Sequence, residues 1–156
     1  MLGNQRFRQT GRVLITHRGL SGPATLRLSA FAARALHQNR YQGELKLDWS
    51  AGLGRSGLTD RLQQWRPEQA RRTLSASKPF EHLPRRLWQA FLSLAGVEPE
   101  RRWADLPIKA ERRLVELLCA QSVSIQGRGP FGEEFITAGG VALGDVNLAT
   151  MESHRC

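Results

Sequence analysis

The chain has 156 residues, and 23 lysines and arginines against 14 aspartates and glutamates give it a formal net charge of +9. No stretch approaches the ~20 consecutive apolar residues that a membrane-spanning helix needs, and the polar N-terminus does not resemble a signal peptide. The two cysteines, Cys119 and Cys156, are too few for a disulfide framework. The sequence therefore predicts a cytoplasmic protein with no membrane partner, long enough for one domain or two small subdomains.

The basic excess is mainly arginine, and much of it occurs as pairs that lie beside helical apolar positions. These pairs are Arg71-Arg72, Arg85-Arg86, Arg101-Arg102 and Arg112-Arg113. Arginines spread along helices in this way are typical of solvated helix faces. We interpret the charge as spread along the chain, which argues against nucleic-acid binding. The sequence does not indicate an oligomeric state.

A predicted strand, turn and helix near the N-terminus form the most distinctive stretch of the chain. Gly11–Thr16 is rich in β-branched residues and predicts a strand, and Ala24 to about His37 has the periodicity of a helix. Its expected inner face comprises Leu28, Phe31, Ala32, Ala35 and Leu36. Ser21 is the expected N-cap and Pro23 suits the first turn. The N–H groups at such a junction favour a carbonyl or anionic oxygen, although a plain tight connection explains the same residues.

His17 lies in this stretch and is the candidate catalytic residue. An imidazole can gain or lose a proton near neutral pH. It could act as a proton donor, as a hydrogen-bond donor, or in neither role. None of the four histidines has cysteine or carboxylate neighbours at metal-ligand spacing, so no metal site is predicted.

The middle of the chain has helical periodicity and predicts a small bundle of helices between Leu58 and Cys119. Before it, residues 43–49 alternate as a half-buried strand and residues 50–57 form a glycine-rich loop. The expected helices run from Leu58 to about Pro67, from Pro67 or Glu68 to Leu74, from Pro84 to Gly96, and from Pro107, capped by Asp105, to Cys119 with Ile108 facing inward. A further helical turn is expected over Glu98–Trp103, and residues 75–81 are expected to be irregular.

The periodicity changes to two after Gln121, which predicts a second β region. Residues 122–126 form the expected strand, 127–130 a turn and 133–137 the hairpin partner. The predicted fold class is therefore α+β, with a small β subdomain formed by the two ends of the chain and an inserted helical bundle. The expected divisions are 1–50 for the first β/α part, 51–120 for the helical subdomain, 121–141 for the hairpin and 142–156 for a C-terminal tail.

Gly52, Gly54 and Gly57 match the dinucleotide-binding pattern G-x-G-x-x-G. In that motif the glycines follow a buried parallel strand, and an acidic residue follows about 20 residues later. Here the preceding strand is amphipathic, and Arg71 and Arg72 occupy the later region. We interpret the pattern as a flexible surface loop that binds no nucleotide.

Three motifs, in order and in spacing, resemble one known family. They are Thr16-His17-x-Gly19-Leu20-Ser21-Gly22-Pro23-Ala24, Thr137-Ala138-Gly139-Gly140-Val141 and Thr150-Met151-Glu152-Ser153. The chain resembles the BaiN-like or aminoacetone-oxidase-like group of NAD(P)/FAD-dependent oxidoreductases, over nearly its whole length.

The resemblance implies that this chain is most of the insert region of such a flavoprotein. In the family, a Rossmann-type FAD domain is interrupted by an insert with a β and a helical subdomain. The resemblance then implies that Thr137, Gly139 and Gly140 bind the cofactor in a complete protein, that His17 contributes to the pocket facing the flavin, and that the partner is the FAD-binding domain. FAD is expected in the complete protein and not on this chain alone. The alternative is a basic interaction module that stands alone and binds nucleic acid weakly.

Overall fold

The fold was analysed from a computed structural model, which describes residues 6–128 and 139–155. Four α-helices and six short strands in these residues confirm the predicted α+β class. The chain divides into two compact units, one formed by residues 1–44 and 124–156 and the other by residues 45–123. No helix within the described residues is long and apolar enough to cross a membrane. The finer subdomain divisions stay a prediction.

The strands pair in three separate two-stranded sheets. They are β1 (Leu14–Thr16) with β2 (Gly19–Ser21), β3 (Gly43–Leu47) with β4 (Gln121–Ile125), and β5 (Val146–Asn147) with β6 (Glu152–Ser153). The first and third pairs are antiparallel. Residues 133–137, the predicted partner of β4, lie outside the described residues.

The first unit contains one long helix, α1 (Pro23–Gln38), close to its predicted bounds. Its buried face is narrow because Ala32 and Ala35 pack against only two partly buried apolar side chains, Phe7 and Leu36. The prediction that Phe31 is buried is wrong, since this side chain is 69% exposed.

The second unit contains three helices around a core with two tryptophans at its centre. They are α2 (Gly54–Glu68), α3 (Arg85–Leu94) and α4 (Ile108–Ala120). Trp88 and Trp103 are fully buried, and their rings stack with centroids 6.1 Å apart and an interplanar angle of 16°. Around them lie Leu58, Leu62, Leu74, Phe80, Leu83, Phe91, Leu92, Leu106, Leu114 and Leu118.

The irregular segment between α2 and α3 is anchored to this core by hydrogen bonds from side chains. Trp88 Nε1 donates to the carbonyl of Leu74 at 2.7 Å, and Trp103 Nε1 donates to Ser77 Oγ at 2.8 Å. These bonds satisfy the polar atoms of two buried indoles, so the core can contain both rings without the cost of an unpaired donor.

Two predictions about α2 are wrong. The helix begins at Gly54, inside the predicted glycine loop, where buried Ser50 accepts the Gly54 N–H through Oγ at 3.2 Å. It also continues through Pro67 to Glu68, and turns rather than a second helix follow it to Leu74. A proline so close to the helix end removes only one helical hydrogen bond, and its fixed φ suits a helix.

The third and fourth helices were predicted more closely. Pro84 and Gly96 flank α3, with Gly96 at φ +74°, as expected for a helix end. The residue that precedes α4 is Pro107, and Asp105, the predicted cap, lies in a 3₁₀ turn. This turn comprises Trp103–Asp105, whereas a helical turn was predicted over residues 98–103. Ile108 is 65% exposed rather than inward-facing, because it stands in the first turn of α4 ahead of the buried face.

Candidate functional site

The candidate site is the turn between β1 and β2, which contains His17 and Arg18. Thr16 of β1 pairs with Gly19 of β2, so the loop between the strands consists of His17 and Arg18 alone. The Thr16 hydroxyl stabilises the turn, because it accepts the Arg18 N–H at 3.2 Å and donates to the Gly19 carbonyl at 3.0 Å. Gly19 has φ +149°, a conformation that L side chains rarely adopt. A β-hairpin therefore holds His17 at an exposed tip.

The local fold differs from the predicted strand, turn and helix. The strand that was expected over 11–16 is shorter, and a second strand containing Ser21 lies between the turn and α1. Gly22 is the N-cap of α1, with no side-chain cap, so the prediction of Ser21 as the cap is wrong. Ser21 instead uses its carbonyl to accept the Thr25 hydroxyl at 3.0 Å.

The start of α1 offers fewer N–H groups to a ligand than the sequence suggested. Pro23 has no N–H, and the N–H of Ala24 donates to the Arg12 carbonyl at 3.1 Å. The expectation of several N–H groups directed at one oxygen is therefore wrong for this junction. Any chemistry at the hairpin must come from its side chains.

His17 interacts with the next residue along the chain. Arg18 Nε donates to His17 Nε2 at 3.0 Å, and both side chains are exposed. Because a guanidinium has no acceptor, His17 Nε2 must carry a lone pair in this arrangement. Nδ1 is then the ring nitrogen that remains available to donate a hydrogen bond at the tip of the hairpin.

Arg18 is the residue of this site that sequence reasoning missed. It was the variable position of the first motif, although its guanidinium determines which nitrogen of His17 carries the proton. The signal was the spacing of Thr16 and Gly19, which leaves two residues for a hairpin loop and places their side chains together.

The glycines predicted to bind a cofactor lie in the C-terminal segment. Gly139 and Gly140 are exposed, and a Cβ added at either position would meet no atom within 4 Å. Thr137 lies outside the described residues. The contacts found for His17 are with Arg18, so the structure does not bring His17 together with these glycines.

The same segment exposes an unusual number of large apolar side chains. They are Val141 at 71%, Leu143 at 74%, Leu148 at 65% and Met151 at 75%. Its backbone is nevertheless ordered by local bonds: Asn147 Oδ1 accepts the Ala149 N–H at 3.0 Å, and the Asn147 carbonyl accepts the Met151 N–H at 2.7 Å. Exposed apolar side chains that lie close together make this segment a candidate contact surface.

Gly139, Gly140 and Val141 suit the flat ring of FAD better than its pyrophosphate group. Open backbone at Gly139 and Gly140, next to exposed Val141, can receive a flat apolar ring. The pyrophosphate of FAD needs a glycine-rich turn between a buried strand and a helix. The G-x-G-x-x-G pattern at residues 52–57 does not form such a turn. Gly54 and Gly57 belong to α2, and the strand before it alternates between half-buried and exposed residues.

Other reactive groups do not form a second site. The described part of the chain contains no group of three or more metal-ligating side chains that could hold a metal ion. Burial raises the pKa of the Cys119 thiol and the carboxylate of Asp48 raises it further, while Arg55 opposes the shift. A raised pKa lowers the thiolate fraction, so Cys119 is a poor nucleophile.

Residues 2–136 match the family model described as "HI0933-like protein barrel and H2TH domain". The chain belongs to this family. This domain occurs in a family of FAD-dependent oxidoreductases, so the family of this chain is a flavoprotein family. The match includes the hairpin with His17, whereas Gly139, Gly140 and the exposed apolar residues lie after it.

Proposed function

We propose that this chain is the insert, substrate-side region of a FAD-dependent oxidoreductase of the BaiN-like or aminoacetone-oxidase-like group. The observation that carries the proposal is the family match over residues 2–136. The ordered C-terminal segment with exposed Val141 and Leu143 supports it, because a surface of this kind suits contact with an FAD-binding domain. The chain by itself is then inactive.

Two parts of the chain contribute to the flavin site in this proposal. Thr137, Gly139 and Gly140 lie against the flavin, where the absence of side chains at the glycines lets the ring approach the backbone. His17 lines the pocket that the flavin faces. When bound, FAD supplies the electron transfer, and the protein supplies orientation and electrostatics.

The proposed role of His17 is to donate a hydrogen bond to the substrate from Nδ1. Arg18 is a positioning residue, since its bond to Nε2 keeps the proton on the other nitrogen. The exposure of His17 supports a functional role, because a side chain at an exposed hairpin tip contributes little to the core.

The test is the variant His17→Ala in an intact flavoprotein that contains this domain. We expect flavin reduction or reoxidation to slow by about tenfold or more, since removing one hydrogen-bond donor aimed at developing charge costs about 10²–10³-fold. The melting temperature should stay nearly unchanged. Stopped-flow absorbance of the flavin and a thermal melt measure the two quantities.

His37→Ala is the matched control, because His37 is also exposed and lies in the same unit. It should leave both flavin half-reactions unchanged. Equal rates for wild type and His17→Ala would contradict the proposed role of His17. A lowered melting temperature with unchanged rates would show that the residue is only structural.

A further inference from the structure

The positive charge of this protein is concentrated at its N-terminus. Residues 1–43 contain seven arginines, no lysine, and no aspartate or glutamate. The rest of the chain contains 16 basic and 14 acidic side chains, so it is close to neutral. The interpretation of a charge spread along the chain is therefore wrong for the first 43 residues.

All seven arginines of this acid-free segment are exposed: Arg6, Arg8, Arg12, Arg18, Arg27, Arg34 and Arg40. Residues 6–12 pack along α1, because Phe7 lies on the cluster that contains Ala32 and Ala35, and the Arg12 carbonyl accepts the Ala24 N–H. The arginines of residues 6–12 thus lie beside those of α1 in one compact unit.

One face of α1 combines positive charge with an aromatic ring. Arg27, Phe31 and Arg34 are spaced by four and three residues, which places them on the same side of a helix with 3.6 residues per turn. We call these three residues the α1 stripe. Phe31 is 69% exposed, although Ala35, four residues further along the helix, is buried.

The α1 stripe has no carboxylate neighbours among the described residues. No acidic side chain in residues 6–128 or 139–155 forms an ion pair with Arg27 or Arg34. In the same unit, Asp145 pairs with Arg155 at 3.0 Å and Glu152 accepts the Thr150 hydroxyl. Two exposed guanidiniums that form no ion pair with the described residues, with an exposed ring between them, suit an anionic ligand that also has flat apolar faces.

We propose that the α1 stripe binds single-stranded nucleic acid. The guanidiniums of Arg27 and Arg34 contact phosphates, and an unpaired base stacks on the Phe31 ring. Arginines in residues 6–12 add sequence-independent attraction to the backbone. A paired base inside a duplex cannot present its face to the ring, which favours a single strand. The exposed side of α1 has one large apolar side chain between two charges, too little apolar surface for a helix that inserts into a lipid surface.

The proposal is tested on the full chain with two fluorescein-labelled probes, an oligothymidylate and an oligouridylate of equal length. Fluorescence anisotropy at low salt measures the affinity. Phe31→Ala should weaken binding about tenfold, as stacking on one aromatic side chain predicts. The double variant Arg27→Gln/Arg34→Gln should lower the slope of log K against log salt by about 1.4, the value for two lost phosphate contacts on a single strand.

Arg85→Gln/Arg86→Gln is the matched control, because it removes the same charge from two exposed arginines of the second unit. It should leave affinity and salt slope close to those of the wild type. Binding of either probe that depends on Phe31 supports the proposal. Similar affinities for the two probes would mean that the α1 stripe binds the phosphates and pyrimidine bases that both probes contain. Circular dichroism should be the same for all variants because the substituted side chains are exposed.

Three results would overturn the proposal. One is an equal loss of affinity in the two double variants, which would mean that any positive charge suffices. Another is a duplex that binds as tightly as the single strand. The third is binding to phosphatidylglycerol vesicles or to polyglutamate that depends on Phe31, with no such dependence for the oligonucleotides. The outcome is independent of flavin chemistry, so it can fail while the proposed function stands.

Discussion

Lys78 illustrates how a single charged side chain can hold an irregular segment in place. Its Nζ donates to the carbonyls of Phe80 at 3.1 Å and Glu81 at 2.9 Å, and also to that of Leu83. An ammonium group has three donors, and here three carbonyls use all of them. The chain between residues 78 and 83 is thus wrapped around one cation, next to the buried side chains of Phe80 and Leu83.

We expect Lys78→Met to lower the free energy of unfolding by about 1–3 kcal/mol, the cost of leaving partly buried acceptors unpaired. Methionine keeps the length and the apolar part of the side chain, so the change removes mainly the donor. Urea unfolding followed by tryptophan fluorescence reports on the second unit, because Trp49, Trp65, Trp88 and Trp103 all lie within it.

Lys109→Met is the control for this variant, since Lys109 is exposed on α4. A surface substitution of this kind should change the free energy of unfolding by less than about 0.5 kcal/mol. If the two variants unfold at the same urea concentration, the three carbonyl bonds of Lys78 contribute nothing to stability.

At the scale of elements, Gly22 connects the hairpin to α1. It has φ +94°, and an added Cβ would lie 2.9 Å from the Leu14 backbone nitrogen and 3.1 Å from the Arg12 carbonyl oxygen. The positive φ of Gly22 and the short distances to the Leu14 and Arg12 backbone both require glycine at this position. The sequence predicted only a helix cap, at Ser21, one residue earlier.

Gly22→Ala should destabilise the first unit by about 1–3 kcal/mol, the usual cost of a strained backbone position. The Ala24 N–H, which donates to Arg12, should then exchange faster with solvent, as measured by amide hydrogen exchange. Gly144→Ala is the control, because a Cβ there meets no atom within 4 Å. Equal protection of Ala24 in both variants would contradict this account of the junction.

Periodicity predicted the helices well where the apolar face is wide and the ends have strong signals. In α3, Trp88, Phe91 and Leu92 are buried as expected, and Gly96 follows the helix. It failed for Phe31, because two alanines of α1 form the small core together with Phe7 and Leu36, and nothing in the local pattern shows which apolar side chain is left outside.

The candidate site was predicted in part. The first motif placed His17 at the end of a strand that leads directly into a helix, whereas the structure places it in the loop of a β-hairpin. Its catalytic role stays a prediction. The second strand was missed because three residues of Gly-Leu-Ser have no alternation to detect. Arg18 was missed for the same reason, because the two-residue loop that brings it to His17 exists only when Gly19 of the second strand pairs with Thr16.

At the scale of the whole molecule, the two units differ in how much of their sequence is used for packing. The second unit contains nearly all of the large buried side chains, whereas the first has a small alanine core, the acid-free segment and four exposed apolar side chains after Gly140. A unit with little core of its own and large exposed apolar and basic surfaces is suited to contacts with other parts of a larger assembly.

The last prediction is that the 156-residue chain does not bind FAD, NAD or ATP by itself. Tight binding of these cofactors uses the N–H groups of a glycine turn after a buried strand. Here the Gly54 N–H already donates to Ser50, and an added Cβ on Gly57 would lie 3.1 Å from Leu53 Cβ, so these glycines serve the start of α2.

Flavin fluorescence anisotropy and amide chemical shifts of Gly52, Gly54 and Gly57 measure this directly. We expect no saturable change in either quantity when each cofactor is titrated. Saturable shifts at the three glycines would show that the pattern is a nucleotide site after all. A flavin absorbance spectrum that survives gel filtration, without shifts at these glycines, would instead place an FAD site elsewhere on this chain and contradict the proposal that the chain alone does not bind the cofactor.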